Sequence, residues 1–216
     1  MDPLRLCIAL GPLAAYLLVL GAINLRRRPL VTSGVRDMLA LGVAASGMVV
    51  VGPVELFLPD VAAARFGPYV WLFLLTLYGL CVLLAALVQR PRLTVYNVPV
   101  AELADLLTEV IRPLDGQAQW IGENLIVPSL GLEVRLEKLT VMRNAILVAL
   151  GNQPNPEGWN RLAAAVTQQL GQLQVQPNAR GVTFVLIGLM LIITVAWESV
   201  SQSHEIAQAF FEMLRL

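Results

Sequence analysis

Residues 69–88 read YVWLFLLTLYGLCVLLAALV, twenty positions without a charged side chain. A helix rises about 1.5 Å per residue, so twenty residues cover about 30 Å, the hydrocarbon thickness of a bilayer. Three further stretches match that length. Residues 6–25 carry no charge. Residues 38–58 carry one acid, Glu55, close to their end. Residues 180–200 carry none between Arg180 and Glu198. In lipid every backbone N–H and C=O must be paired within the segment, so four transmembrane helices are expected. The polar alternation of a membrane β-barrel strand is absent.

Composition agrees with this reading. Hydrophobic residues make up 57% of 216 positions and charged residues 14%, against about 25% charged in ordinary soluble domains. Mean hydropathy is +0.70. The formal net charge is zero and no clustered basic surface of the nucleic-acid-binding kind stands out, so no nucleic-acid partner is expected. The first apolar stretch is followed by Arg26, Arg27 and Arg28 rather than by a small-residue cleavage site, which marks a retained helix rather than a cleaved signal.

Arginines and lysines flanking the spans collect on the cytoplasmic side. Arg26, Arg27, Arg28 and Arg36 lie between spans one and two. Arg90 and Arg92 follow span three, and Arg180 precedes span four. The opposite side holds Arg5, Arg65 and Arg215, diluted by acids that include Asp60 and Glu205. This bias puts both termini outside a plasma or inner membrane and residues 91–179 in the cytoplasm.

Residues 1–90 thus hold three spans, and residues 91–179 form a separate soluble domain. That segment alternates between patterns. Residues 93–98 are β-rich. After Pro99, Leu103, Leu106, Leu107, Val110 and Ile111 recur at helical spacing. Gly122-Glu-Asn124 sits between two short apolar runs, a hairpin signal. Leu132, Val134 and Leu136 alternate with Glu133, Arg135 and Glu137, as in a half-buried strand. Residues 141–150 suit a central strand. Asn155 and Pro156 suit the cap and first position of a second helix. The order β-α-β-β-β-β-α predicts a small α+β domain with two helices on one face of a mainly antiparallel sheet. Residues 201–216 place Ile206, Phe210, Phe211 and Leu214 on one helical side, the pattern of an amphipathic tail lying in the membrane interface.

Signals for chemistry are weak. The single histidine, His204, precedes Glu205, but Gln208 stands where the second ligand of a zinc-protease motif belongs. Neither a glycine-rich phosphate loop nor a Ser-His-Asp set is evident. No catalytic residue, metal or cofactor is therefore expected. Trp120 and Trp159 read as core aromatics, and Cys7 and Cys81 lie at depths too different for a disulfide. Glu55 and Glu198 are the candidate intramembrane functional acids, because ionisable groups in lipid are costly. Gly42 and Ser46, four residues apart, suit close helix packing. The sequence points to a non-enzymatic anchor or scaffold in the lipid bilayer. Residues 91–179 would bind a membrane-protein partner or assemble a homo-oligomer. The alternative is a transporter or channel component using Glu55 and Glu198.

Overall fold

The apolar stretches form long helices in a computed structural model that describes residues 3–54, 65–67, 69–139, 143–151 and 154–201. Helix α1 spans Pro3–Leu25, α2 Gly34–Val49, α3 Tyr69–Val88 and α6 Arg180–Ser201. Helix α2 runs on into a π-helical turn, Val50–Val54, which contains Pro53; proline lacks the N–H that an α-helical turn would use there. All four helices are long and apolar enough to cross a membrane. At most 22% of the residues in any of the four apolar windows are buried inside the protein. Leu72, Phe73, Leu84, Leu87, Ile193 and Trp197 point outward. Glu55 and the amphipathic tail beyond residue 201 lie outside the described residues.

The chain divides into two compact units. The first contains residues 1–21, 38–87 and 182–216. Its helices meet where side chains are smallest. A Cβ built on Gly47 of α2 would stand 1.8 Å from the Ile8 carbonyl oxygen of α1, and one built on Gly188 of α6 would stand 2.9 Å from Leu18 Cδ2. Pro12, inside α1, cannot donate to the carbonyl four residues earlier, so Ile8 has no helical N–H partner there. Gly47 presents its Cα–H to that carbonyl.

The second unit contains residues 22–37 and 88–181. Among the described residues its six strands are β1 Leu30–Ser33, β2 Arg92–Tyr96, β3 Gln119–Ile121, β4 Asn124–Val127, β5 Leu132–Leu139 and β6 Asn144–Ala149. They lie in the order β1-β2-β6-β5-β4-β3, and every neighbouring pair is antiparallel. Helices α4 (Val100–Ile111) and α5 (Pro156–Gln172) complete the unit. From β2 onward the elements follow the predicted order, and β6 is interior to the sheet. Strand β1 was not predicted. It comes from the segment between the first two apolar helices and pairs Leu30 with Tyr96 and Ser33 with Leu93.

One face of the sheet carries the core. Leu93, Val95, Leu125, Val127, Val134 and Leu147 meet Leu103, Leu107 and Ile111 of α4 and Leu162, Val166 and Leu170 of α5. The helix residues recur every four positions, which puts each set on one side. Asn155 caps α5 by accepting from the Glu157 N–H at 3.1 Å. The Asn155 side-chain amide also donates to the Leu130 carbonyl at 3.1 Å. A Cβ on Gly158 would stand 2.2 Å from that same oxygen, so position 158 in the first turn of α5 accepts only glycine.

Candidate interaction surface

Cross-strand partners in an antiparallel sheet share a face, so the registers identify what lies opposite the two helices. Glu137 pairs with Ile146, Arg135 with Val148 and Asn124, Glu133 with Ile126, and Ile126 with Gln119. Glu133, Arg135, Glu137, Gln119 and Ile121 are exposed, while Ile126, Ile146 and Val148 are half-buried. The polar groups are organised. Asn124 Nδ2 donates to Glu133 Oε1 at 3.0 Å, and Arg135 Nε donates to Asn124 Oδ1 at 3.1 Å. A charged, hydrogen-bonded stripe therefore runs between isoleucines.

At the other end of this face the sheet is occupied. Asp37, in the first turn of α2, accepts hydrogen bonds from the Tyr96 hydroxyl and, at 3.5 Å, from Thr94 Oγ1. Both donors are buried.

A set of buried asparagines holds the chain passages of this unit together. Asn178 donates from its backbone N–H to the Asn24 carbonyl at 2.9 Å and from its side chain to Asn24 Oδ1 at 3.2 Å. The Val175 N–H reaches the Arg27 carbonyl at 2.9 Å. Asn97 Nδ2 reaches the Arg26 carbonyl at 2.9 Å. Asn97 adopts φ +66°, a left-handed conformation that asparagine tolerates better than most residues. Its N–H bonds Asn144 Oδ1 at 3.3 Å.

A half-open cleft of about 280 Å³ lies where α4 ends against β3 and β4, lined by Thr108, Ile111, Arg112, Asp115, Trp120 and Leu125 among others. Trp120 Nε1 donates to Thr108 Oγ1 at 2.9 Å. Asp115 accepts from the Ser129 N–H at 2.8 Å and the Gln117 N–H at 2.9 Å. These backbone donors, Ser129 first, hold its carboxyl below the ordinary aspartate range. Both oxygens are thus committed to closing the turn after α4, and the cleft falls at the small end of ligand pockets.

The residues singled out from sequence scatter. Glu55 lies outside the described residues. Glu198 is half-buried on α6, beside Ser199, whose Oγ lies 3.0 Å from Cys7 Sγ of α1. Gly42 sits against α3: a Cβ there would stand 2.4 Å from Val82 Cγ1, and the Tyr78 hydroxyl donates to the Gly42 carbonyl at 2.7 Å. Ser46 turns back on its own helix, donating to the Val43 carbonyl at 2.8 Å. Trp159 is half-buried against the core of the second unit. Sequence reasoning missed the Asn24–Asn178 pair. Its only signal was a polar amide immediately inside or outside an apolar stretch.

Comparisons with protein-family models, curated proteins and solved structures find no match.

Proposed function

We propose that the chain is a non-enzymatic multi-pass membrane protein that displays a small α+β unit on the cytoplasmic side to bind a protein partner or a second copy. The outward-facing apolar side chains of α1, α2, α3 and α6 support a bilayer as their solvent, because a surface so continuous is unstable in water. The β1–β2 ladder supports the pattern of crossings. Hydrogen-bonded strands lie on one side of a membrane, so the chain between Ser33 and Arg92 leaves that side and returns. Helices α2 and α3 provide those two passages. The arginine bias assigns that side to the cytoplasm.

The observation that carries the interaction reading is the β3–β6 face. It has helices behind it, isoleucines within it and an ordered Glu133–Asn124–Arg135 stripe across it. A non-obligate interface is, as a whole, about as apolar as the rest of a protein surface, so charge and apolar surface interleaved in this way are compatible with one. The test is photo-crosslinking of the full-length protein in native membranes. A photoreactive residue at Ile126 should give a discrete adduct, at twice the protein mass if the partner is another copy. The same group at Glu109, on the exposed side of α4, should not. No adduct at Ile126, or the same adducts from both positions, would refute the proposal.

A further inference from the structure

Charge within the second unit is polarised. The stretches that connect it to the apolar helices, residues 22–37, 88–98 and 174–181, carry seven arginines and one acid, Asp37. Residues 99–173 carry eight acids against five basic residues. The arginines therefore lie in the stretches through which the chain enters and leaves α1, α2, α3 and α6. The lone acid there is already engaged by Tyr96 and Thr94.

These arginines are held in place. Arg26 and Arg27 offer their backbone carbonyls to buried Asn97 and to Val175, which fixes the run that follows α1. Pro29 and strand β1 then lead to α2, where the Arg36 N–H is 3.4 Å from Ser33 Oγ. Arg92 opens β2, and its side-chain stem lies across Gly34, leaving no room for a Cβ there. Strand β1 spans about 13 Å at the usual rise. It therefore sets the separation between the Arg26–Arg28 group and the group formed by Arg36, Arg90 and Arg92. The side chains of Arg26, Arg27, Arg28, Arg36 and Arg90 are exposed, with no acidic partner among the described residues.

We infer that these arginines form a binding surface for the phosphate groups of anionic phospholipids in the leaflet on the side of the second unit. The inference rests on the membrane reading above. Guanidinium forks match phosphate oxygens in pairs, and the pinned backbone lowers the ordering cost of forming those bonds. Juxtamembrane clusters of this size gain roughly fivefold in affinity for an anionic surface per arginine.

The experiment uses the full-length protein in nanodiscs, with spin-labelled phosphatidylglycerol or phosphatidylcholine reporting the lipid held at the protein surface. Nanodiscs present both leaflets, so an inverted topology leaves the measurement intact. The expected result is selectivity for phosphatidylglycerol that falls about tenfold or more in the Arg26→Gln/Arg27→Gln/Arg28→Gln variant. It should be retained in Arg143→Gln/Arg161→Gln and only partly restored by lysine at the three positions, because an ammonium returns the charge without the paired fork. Arg36→Gln/Arg90→Gln supplies an independent loss should the triple variant fold poorly. Equal retention of both lipids by the wild type, or selectivity unchanged in both depleted variants, overturns the inference. So does competition by glycerol phosphate as effective as that by the lipid, which would move the ligand into solution. A protein that restricts neither lipid overturns the membrane reading as well.

Discussion

Replacing Gly47 with alanine is the most direct challenge to the helix contacts of the first unit. The new methyl group would sit 1.8 Å from the Ile8 carbonyl oxygen, with the Ile8 carbonyl carbon at 2.9 Å and the Ala9 oxygen at 3.1 Å. These are backbone atoms, so no rotamer change relieves the overlap. Restoring ordinary contact requires α1 and α2 to part by roughly 1.5 Å, which forfeits more than half of the dispersion energy at the crossing. It also breaks the Cα–H···O contact to a carbonyl that Pro12 leaves without its helical donor, worth about 0.5–1 kcal/mol. Overpacking of this kind costs about 1–3 kcal/mol, and the absence of side-chain relief argues for the upper half of that range. Gly79→Ala on α3 is the control, because its Cβ meets nothing within 4 Å. Gly42→Ala should fall between the two, since it meets the Val82 side chain rather than backbone. The assay is reversible unfolding of the purified protein in mixed micelles of mild detergent and dodecyl sulfate, followed by circular dichroism. A Gly47→Ala protein as stable as Gly79→Ala would refute the close approach of α1 and α2.

Three further outcomes are expected in the second unit. Asn155→Ala removes the cap on α5 and its bond to the Leu130 carbonyl, and should lower stability by about 1 kcal/mol, read from hydrogen exchange in the first turn of α5. Asp37→Ala removes the acceptor that Tyr96 and Thr94 share and should cost about 1–2 kcal/mol, with exchange accelerating first in the β1–β2 ladder. The Asp115 carboxyl is held below its unfolded value near about 3.9, so its contribution is present above that pH and is lost as pH falls through the lower folded value. Acid unfolding of the wild type should therefore show a stability loss in that window. Asp115→Asn should flatten it and should be less stable at neutral pH.

The apolar helices were legible because length alone identifies them: α3 occupies the same residues, 69–88, that the charge-free run marks. The core of the second unit was legible for a related reason. The alternation through Leu132, Val134 and Leu136 and the four-residue spacing of Leu103, Leu107 and Ile111 state locally which side faces inward. Strand β1 was not legible. Four residues, Leu30-Val-Thr-Ser33, flanked by arginines and a proline, carry no period, and their partner Tyr96 lies beyond two apolar helices. The close approach at Gly42 was readable as a small residue in an apolar helix, but its partners Tyr78 and Val82 depend on how α2 and α3 align. The open sheet face was half readable. Glu133, Arg135 and Glu137 announced an outward side, whereas the isoleucines interleaved with them come from three other strands and are joined only by register.

Strand β1 also changes the bounds of the second unit. A piece cut at residues 91 and 179 would leave β2 with a bare edge and would take Asp37 from Thr94 and Tyr96. It would remove the Arg26 carbonyl from Asn97, and Asn24 and Arg27 from the segment that contains Val175 and Asn178. Those groups are buried or partly buried and polar, and buried polar groups without partners are costly. The segment between the first two apolar helices is therefore part of the fold, as strand and as hydrogen-bond acceptor. Its arginines inherit that order. A charge cluster on a loose loop samples many geometries and discriminates little between anions, whereas one whose backbone is fixed by a sheet and by asparagine side chains confines the region its guanidinium groups reach. The same hydrogen bonds that complete the sheet thus give the basic end of this unit the means to select a phosphate-bearing lipid.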